Sequence, residues 1–528
     1  MPRILQKISS WLGDAPIVGD FLNNQVINKY AKVIPARPRA LSMAGPYPTW
    51  RGLTDRRYSG RHLPPDPEYT ATLPAFDAVA GLFRQTQDRR ANDTSLLFPF
   101  FAQWFTDSFL RTKWKLPEHQ DFVHNESNHE IDLCQIYGTD EERTRTLRSF
   151  VSGKLKSQFI NGEEYPAPLF EEVNGELTLK SEFNQLYTKD NFERVFSRAG
   201  ETQKRNAFAV GLEHGNSTIG NTLMNILFMR EHNRLASVLQ KQYPGWDDER
   251  LFQTARNINI VLLLNIVIGD YIVHIAPVDF PLRVVPGKAE QEHWYRTNWI
   301  PVEFALLYRW HSFIPKTVSL NGVSKESKEL RNNNAWLKQG GVAAWCRQAS
   351  SQKAGYLTVG NTPEFLLEVE KLSLTMARAC QLKSFNDYRR YYCLDEIKRF
   401  DDLTRDKELS NKLKSVYQSM DKLEWLVGIF AEDYGKHDMM GELMVTMVAN
   451  DAFTQALTNP LLAKNVFNAN TFSEVGLDII KNTRTLADIV VRNTDSGIDK
   501  DEIGFKARKY RGPSFISSGQ ATPITEPV

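Results

Sequence analysis

Residues 303–315 read Glu-Phe-Ala-Leu-Leu-Tyr-Arg-Trp-His-Ser-Phe-Ile-Pro. Phe304, Leu307, Tyr308 and His311 follow one another at helical spacing, and Pro315 ends what a helix would continue. We therefore predict the last turns of a helix with Tyr308 and His311 on one face. At about 1.5 Å per residue, their side chains start roughly 4.5 Å apart along the axis, so that both can reach one bound group.

The two side chains suit an iron centre. A neutral imidazole on a buried face is a natural iron ligand, and a phenol beside an oxidised iron centre is a natural one-electron donor. A tyrosine and a histidine three residues apart are, however, more often packed core residues. On its own, the spacing leaves both interpretations open.

The composition of the chain argues against a nucleic-acid partner, a disulfide scaffold and a zinc site. The 528 residues include 65 basic and 63 acidic ones, for a formal charge of +2, so no nucleic-acid partner is indicated and a small or apolar one is expected. The four cysteines, far apart and without C-x-x-C spacing, argue against a disulfide scaffold and a zinc site: Cys134, Cys346, Cys380 and Cys393. We expect a reducing, cytoplasmic compartment.

Five ordered strings carry a resemblance to a known family. They are Leu307–His311 with Ile314-Pro315, Phe100–Gln103, Ile131–Leu133 with Ile136–Gly138, Arg230–Arg234, and Leu251–Arg256. Over roughly residues 45–490 the chain resembles the cyclooxygenases of the animal-type haem peroxidase superfamily. The resemblance implies a mainly α fold, a large helical haem peroxidase body with very little sheet. It also implies a bacterial or algal-type homologue without the family's N-terminal disulfide-rich module.

The resemblance assigns roles around the organising stretch. It implies haem b with His311 as the axial ligand of the iron, and Tyr308 as the tyrosine that carries a radical. Tyr271 matches the tyrosine that hydrogen-bonds the radical tyrosine, while Phe304 and Trp310 are expected to line the substrate channel.

Two further matches are less direct. Phe453-Thr454 is similar to the phenylalanine-serine pair of the channel, which makes Thr454 a candidate channel residue. The charged run Arg230–Arg234 matches a buried network that holds the helices of the haem pocket together, so we expect it to be structural.

The peroxide-binding side departs from the family. We predict a buried helix over Leu96–Lys113, on which Gln103 and Asp107 lie four residues apart. In the family this spacing holds a glutamine and the distal histidine that helps to split peroxide. A carboxylate with a reference pKa near ~3.9 is a poor proton shuttle at neutral pH unless burial raises that pKa. We therefore expect weak peroxidase turnover.

His214 is a candidate replacement for the missing histidine. It lies sixteen residues before Arg230. At the position of His214, the mammalian peroxidases of the superfamily place a catalytic arginine. A glycine-flanked histidine is also a common turn residue. Two interpretations remain open: a loop histidine, or a relocated distal base with Asp107 as its orienting partner.

We divide the chain into three parts. Residues 1–34 have the spacing of two amphipathic helices with a break at Pro16, which either pack on the body or contact a membrane peripherally. Residues 35–504 form the catalytic domain, and the glycine- and serine-rich residues 505–528 form a flexible tail.

Ile258–Ile275 is long enough to raise the question of a membrane span, but its embedded polar residues favour a core helix. Tyr30 and Val278 replace the family's carboxylate-binding arginine and tyrosine.

The function expected from the sequence is a haem-dependent dioxygenase. Its substrates are an unsaturated fatty acid and O2, a peroxide activates it, and the product is a hydroperoxide or a prostaglandin-like compound; a homodimer is an option. The alternatives are a haem peroxidase that oxidises small organic donors and a catalytically degenerate haem or lipid binder. Retention of both Tyr308 and Tyr271 favours the dioxygenase.

Overall fold

The computed structural model describes residues 16–31, 57–113, 124–275, 280–295, 297–435, 438–494 and 497–509. The protein is 53% helical with 11% strand, which confirms the predicted fold class. A single hydrophobic cluster runs through the described helices and forms one core.

The described α-helices are numbered in chain order. They are α1 (Pro16–Ala31), α2 (Pro67–Ala71), α3 (Phe76–Leu82), α4 (Leu97–Thr106), α5 (Cys134–Tyr137), α6 (Glu141–Leu147), α7 (Lys189–Phe196), α8 (Glu201–Arg205), α9 (Ile219–Gln242), α10 (Asp248–Ile266), α11 (Ile272–Ile275), α12 (Val302–Leu307), α13 (Asn334–Gly340), α14 (Val342–Ser351), α15 (Leu367–Ala379), α16 (Phe385–Tyr391), α17 (Phe400–Leu403), α18 (Lys407–Tyr417), α19 (Trp425–Ala431), α20 (Glu442–Leu457), α21 (Ala469–Phe472), α22 (Glu474–Lys481) and α23 (Leu486–Arg492).

The strands form two-stranded antiparallel sheets. They are β1 (Arg90–Ser95), β2 (Ser157–Ile160), β3 (Glu163–Pro166), β4 (Phe170–Val173), β5 (Glu176–Leu179), β6 (Thr317–Leu320), β7 (Val323–Glu326) and β8 (Lys353–Gly355). β1 pairs with the distant β8, and the other pairs are the hairpins β2–β3, β4–β5 and β6–β7. Each hairpin turns on an Asn-Gly pair with positive φ at both residues, which is the turn that two-residue hairpins favour.

Helices α9 and α10 form the centre of the body, and α4 packs against α9. Side-chain caps begin both long helices: the Thr218 hydroxyl accepts a hydrogen bond from the Asn221 amide, and the Asp247 carboxylate accepts one from the Arg250 amide. Gly220 lets α4 approach closely, since a Cβ there would come within 2.5 Å of the Phe100 ring.

The helix predicted over Ile258–Ile275 begins earlier, at Asp248, and is interrupted by a π-helical turn at Val267–Tyr271. Among the described residues one helix, Asp248–Ile275, is long and apolar enough to cross a membrane, and 72% of its most apolar window is buried inside the protein. Its polar groups bond to the body: Asn265 donates to the backbone oxygens of Ile480 and Thr483, and Asp270 accepts from the Leu486 amide. It is a core helix, as predicted.

Two helix predictions were too long. The predicted helix through His311 ends at Leu307, so Tyr308 and His311 do not share a helical face. The helix predicted over Leu96–Lys113 covers only Leu97–Thr106, so Asp107 lies just beyond its end. In both places apolar residues continue past the last helical turn because the following irregular segment is also buried, and hydrophobic spacing does not distinguish the two.

The predictions for the chain ends had mixed outcomes. The second amphipathic helix is α1, which packs against α20 with Tyr30 and Phe453 at a ring distance of 6.3 Å. The first predicted helix and Val278 lie outside the described residues. The tail boundary was placed too early: Phe505 is 2% exposed and its ring lies 6.0 Å from that of Tyr271, because the core has an aromatic gap that it fills.

Candidate active site

Tyr308 directly follows helix α12 as its C-cap residue. Its ring lies 5.0 Å from that of Phe304 and 4.6 Å from that of Trp310. Phe304 and Trp310 are buried. The three aromatic side chains therefore lie together, although the role of Phe304 and Trp310 in binding a substrate stays a prediction.

Tyr271, in the π-helical turn, is the phenol that interacts with Tyr308. The two hydroxyl groups influence each other, but neither oxygen has a hydrogen bond of regular distance and angle within the described part of the chain. Burial raises the pKa of both phenols above the ordinary range, and the charge of Asp451 adds to the rise for Tyr308. Both phenols stay protonated at neutral pH, so oxidising either one displaces a proton as well as an electron.

His311 begins a 3₁₀ turn, His311–Phe313, after the chain has left α12. Its Nδ1 lies 3.1 Å from Oε1 of Glu370 on α15, a contact with the length of a hydrogen bond but not the angle of one. Within the described ranges, Nε2 has no hydrogen-bond partner, and the side chain is 18% exposed. One ring nitrogen therefore faces a carboxylate while the other is left for a ligand.

Asp107, directly after α4, meets His214. His214 Nε2 lies 3.1 Å from Asp107 Oδ2, and Asn221 Nδ2 donates a hydrogen bond of 3.1 Å to the same oxygen. Both side chains keep some accessibility, 28% for His214 and 23% for Asp107. The predicted contact between the two is present, while the assignment of either as a catalytic group stays a prediction.

A second carboxylate faces the other nitrogen of the same imidazole. His214 Nδ1 lies 3.5 Å from Oε1 of the buried Glu213, whose oxygens accept hydrogen bonds of 3.1 and 3.2 Å from Arg111 and of 3.1 Å from Arg194. Burial alone would lower the pKa of His214, but the charge of Asp107 and hydrogen bonds with Asp107 and Glu213 outweigh it and raise the pKa to about 9. His214 is therefore a cation at neutral pH.

In the described part of the chain, Gln103 and Thr454 make no side-chain hydrogen bond with another predicted site residue. Gln103 is exposed, and in the described part of the chain its side chain has no hydrogen bond. Thr454 is fully buried, and its hydroxyl donates to the backbone oxygens of Asn450 and Asp451 in its own helix, at 3.2 and 2.9 Å. Their roles stay predictions.

The run Arg230–Arg234 forms a buried polar network away from His214. Arg230 donates to the Asn493 backbone oxygen and to Glu163, and His232 Nδ1 lies 2.9 Å from the Tyr137 hydroxyl. These bonds tie α9 to β3, α5 and the end of α23. The run is structural, as predicted.

The sequence prediction missed three charged residues at the site. They are Glu370 beside His311, Glu213 beside His214, and Arg309. Burial lowers the pKa of the Arg309 guanidinium, and the charges of both Glu370 and Asp107 oppose that shift. Arg309 therefore lies near carboxylates on both sides. Arg309 lies inside the stretch that carries Tyr308 and His311, and Glu213 directly precedes His214, so both positions could have drawn attention, whereas nothing near Glu370 in the sequence points to the site.

These side chains fit a haem bound through His311. Iron needs a neutral imidazole with one nitrogen available, and metal-bound histidines usually direct the other nitrogen to a carboxylate or a carbonyl. Among the described residues, no group of three or more His, Cys, Asp or Glu could hold a bare metal ion. An available imidazole nitrogen, two phenols that interact with each other and a separate histidine–carboxylate pair together indicate the class, a helical protein that binds a haem group for redox chemistry.

A separate cleft of about 1110 Å³ lies beside the π-helical turn, bordered at its inner end by His274, Phe313 and Phe505. Phe505, which lines this cleft, has its ring 6.0 Å from that of Tyr271, and the Phe98 ring stacks on Tyr271 at 5.1 Å and on Trp310 at 5.9 Å. Charges of both signs line the rim of the cleft, which does not suit an acyl chain, so we do not assign the cleft to the reaction.

Comparisons with known proteins identify the family of the chain. A family model described as animal haem peroxidase matches residues 90–503. The chain is 31% identical over 460 residues to prostaglandin G/H synthase 2 of Bos taurus, covering 85% of this chain and 72% of that protein. It is 30% identical over 503 residues to prostaglandin G/H synthase 1 of Mus musculus, covering 92% and 79%. The chain belongs to the animal haem peroxidase family.

Solved structures share the fold at lower identity. The fatty acid alpha-dioxygenase of Oryza sativa superposes with a TM-score of 0.68 at 17% identity, over 95% of this chain and 94% of that one. Peroxidase A of Dictyostelium discoideum gives 0.64 at 17% identity, over 85% and 93%. The protein is thus a haem oxidoreductase whose cofactor is iron protoporphyrin IX, which confirms the expected enzyme class and cofactor.

Proposed function

We propose that the protein is a haem-dependent dioxygenase that oxygenates an unsaturated fatty acid through a radical on Tyr308. The observation that carries the proposal is the interacting Tyr308–Tyr271 pair, in which Tyr308 lies three residues before His311 in the chain. A peroxidase that oxidises external donors, or a plain haem binder, needs neither phenol. The names of the relatives, prostaglandin synthases and fatty acid alpha-dioxygenases, support the same substrate class.

Bound haem, once activated by a peroxide, would supply the one-electron oxidant. Tyr308 then loses an electron and its hydroxyl proton, and the resulting phenoxyl radical takes a hydrogen atom from an allylic carbon of the fatty acid. O2 adds to the carbon radical. The peroxyl radical so formed takes the hydrogen atom back from Tyr308, which leaves a hydroperoxide and a restored phenoxyl radical.

In the reaction with peroxide, Asp107 and His214 would have the reverse of the roles that the sequence predicts. Because carboxylates face both nitrogens of His214, the imidazole is held as a cation and does not serve as the base. Asp107 is then the proton acceptor, and its Oδ1 has no hydrogen bond to any of the described residues. A carboxylate with a reference pKa near ~3.9 is a weak base at neutral pH, so slow peroxide activation is expected. This assignment replaces the relocated-base hypothesis for His214.

The test is O2 uptake by haem-loaded protein given palmitate, oleate, linoleate or arachidonate. Palmitate is included because a solved structure of the rice alpha-dioxygenase holds palmitic acid. Tyr308→Phe should abolish uptake yet keep bound haem and residual oxidation of aromatic donors. Tyr295→Phe, at a tyrosine that is 41% exposed, is the matched control and should behave as the parent. Unchanged uptake in Tyr308→Phe would rule out the radical role.

A peroxidase that oxidises small organic donors is the second candidate. The polar pair His214–Asp107 favours it, because a peroxide must exchange protons with such groups. Under this alternative, donor oxidation is fast, fatty acids cause no O2 uptake, and Tyr308→Phe changes neither. Equal loss of both activities would instead indicate structural damage.

We also propose a cytoplasmic location with peripheral membrane contact through α1. Val18 and Phe21 on this helix are 46% and 62% exposed, and Lys29 lies in its last turn. Apolar side chains beside a basic residue suit the boundary of a bilayer.

A further inference from the structure

The nitrogen of His311 that does not face the proposed iron has a built environment. Glu370 is 3% exposed, and its Oε1 lies 3.1 Å from His311 Nδ1. The Thr362 hydroxyl donates a hydrogen bond of 2.9 Å to that same oxygen. Three side chains from separate parts of the chain therefore meet at one carboxylate oxygen.

Each of these side chains has a fixed origin. Glu370 lies in the first turn of α15, Thr362 in the segment just before it, and His311 in the 3₁₀ turn. The Thr362 amide also donates to the Phe83 backbone oxygen at 3.1 Å, which anchors the segment to α3. Because Thr362 already directs its hydrogen at Oε1, the orientation of the carboxylate is set independently of His311.

A carboxylate in this position acts on the imidazole through its charge, which faces Nδ1. Negative charge near Nδ1 favours the tautomer with the proton on Nδ1 and the lone pair on Nε2. It also makes Nε2 a stronger electron donor, and such outer partners typically change metal affinity by about 10- to 100-fold. A stronger donor stabilises ferric over ferrous iron.

We propose that Glu370 is the positioning residue of the iron ligand, which fixes the tautomer of His311 and lowers the reduction potential of the bound haem. The inference rests on the proposed ligation by His311 and goes beyond it, since it assigns a role to a residue that touches neither substrate nor cofactor. Thr362 supports the role by orienting the carboxylate.

The test measures the ferric/ferrous midpoint potential of haem-loaded protein and the iron–histidine stretching band of its ferrous form. Glu370→Gln removes the charge at nearly constant shape. It should raise the midpoint potential, by about 59 mV if the preference for ferric over ferrous iron falls ten-fold, and should lower the frequency of the band. Glu370→Asp keeps a carboxylate and should shift both less.

Glu368→Gln is the matched control, because Glu368 lies on the same helix with its side chain 80% exposed and paired with Lys371. It should leave both readouts at the parent values. Thr362→Val should raise the potential by less than Glu370→Gln, and it serves as the test should the glutamine variant lose haem. A parent-like potential and band in Glu370→Gln, or in Thr362→Val in that case, would overturn the proposal.

The readouts separate this inference from the proposed function. Both are recorded without fatty acid, so absence of oxygenation would leave a shifted potential standing. If His311 were not the ligand, His311→Ala would keep the iron–histidine band, and the inference would fail together with the ligation on which it rests.

Discussion

His214 carries a charge that should make the stability of the protein depend on pH. Its pKa in the folded protein, about 9, lies above the reference value near ~6.5. A raised pKa contributes stability that is fully present below about pH 6.5 and is lost as the pH rises through about 9. His214→Gln should therefore lower the melting temperature more at pH 6.5 than at pH 9.5, with a difference on the order of 2 kcal/mol.

The control for this prediction is His293→Gln, at an exposed histidine. Exposed substitutions away from caps and networks usually change stability by less than about 0.5 kcal/mol. The low pKa of Glu213 does not interfere, because its contribution is lost only at acid pH. A His214→Gln penalty of the same size at both pH values would contradict the charge assigned to this histidine.

The inverted pair makes a second residue-level prediction, for the reaction with hydrogen peroxide. In the inverted pair the His214 cation would donate a proton to the departing peroxide oxygen, so His214→Ala removes the proton donor and should slow the reaction by at least about ten-fold, or ~1.4 kcal/mol. Asp107→His restores a proton acceptor that titrates near neutral pH and should raise the rate. Stopped-flow absorbance of the haem band measures both. A His214→Ala rate equal to that of the parent would remove the pair from the mechanism.

Residues of the site were predictable where a family position drew attention to them. Asp107 was predicted because it stands where the family has a histidine. His214 was predicted because it lies sixteen residues before Arg230, at a position where members of the superfamily have a catalytic arginine. Glu370 was missed because it lies in an ordinary amphipathic helix and only the folded chain brings its carboxylate to His311. Glu213 was missed although it directly precedes His214, because a glycine-flanked loop does not show which way its side chains point.

Individual elements were predicted unevenly. Three Asn-Gly pairs, at residues 161–162, 174–175 and 321–322, mark the hairpins and could have been recognised from the sequence, since both residues favour the positive φ that the turn needs. The end of α12 could not be recognised from the sequence. Tyr308 and Trp310 continue the apolar spacing of the helix, although beyond Leu307 the chain is irregular and their rings pack on Phe304 and Phe98.

The crossing of α4 and α9 gives a prediction at the scale of elements. Gly220→Ala would place a Cβ 2.5 Å from the Phe100 ring, which is buried and cannot move aside easily. The helix propensity of alanine should gain up to about 1 kcal/mol, while overpacking typically costs ~1–3 kcal/mol. We expect a net loss of stability and a lower melting temperature.

Gly81→Ala is the matched control, since Gly81 lies in α3 with nothing within 4 Å of the added Cβ. It should leave the melting temperature unchanged or raise it slightly. If Gly220→Ala melted at or above the parent temperature, the close approach of the two helices would not be a constraint on this fold.

Helix α1 gives a second element-scale prediction, for membrane contact. Transferring an exposed phenylalanine from water to an apolar environment is worth ~1.5–3 kcal/mol, so Phe21→Glu should markedly reduce co-sedimentation with anionic vesicles. Phe159→Glu changes a phenylalanine that is 74% exposed on β2 and is the control. Equal binding by both variants and the parent would exclude α1 as the contact.

At the scale of the whole molecule, the helical class followed from the resemblance, while the return of the chain to the core at Phe505 did not. Phe505 returns to the core next to α4, and the Ser95 amide donates to the Phe505 backbone oxygen at 2.7 Å. A segment rich in glycine, serine and proline gave no hint of this, because one buried ring surrounded by polar residues has no periodicity. Long-range packing of this kind is set by the shape of the core.

The haem should stabilise the whole body, since a ligand that binds only the folded chain stabilises it by about 2.7 kcal/mol at a concentration 100 times its Kd. Adding haem to the apoprotein should therefore raise the melting temperature of the parent and of His293→Ala, with about one haem bound per chain and a histidine-ligated ferric spectrum. His311→Ala should melt like the parent apoprotein yet gain nothing from haem, because Nε2 of His311 is the ligand atom that the fold leaves available. A His311→Ala variant that took up haem with the parent spectrum and the parent rise in melting temperature would move the ligand elsewhere and remove the basis for placing the oxidant next to Tyr308.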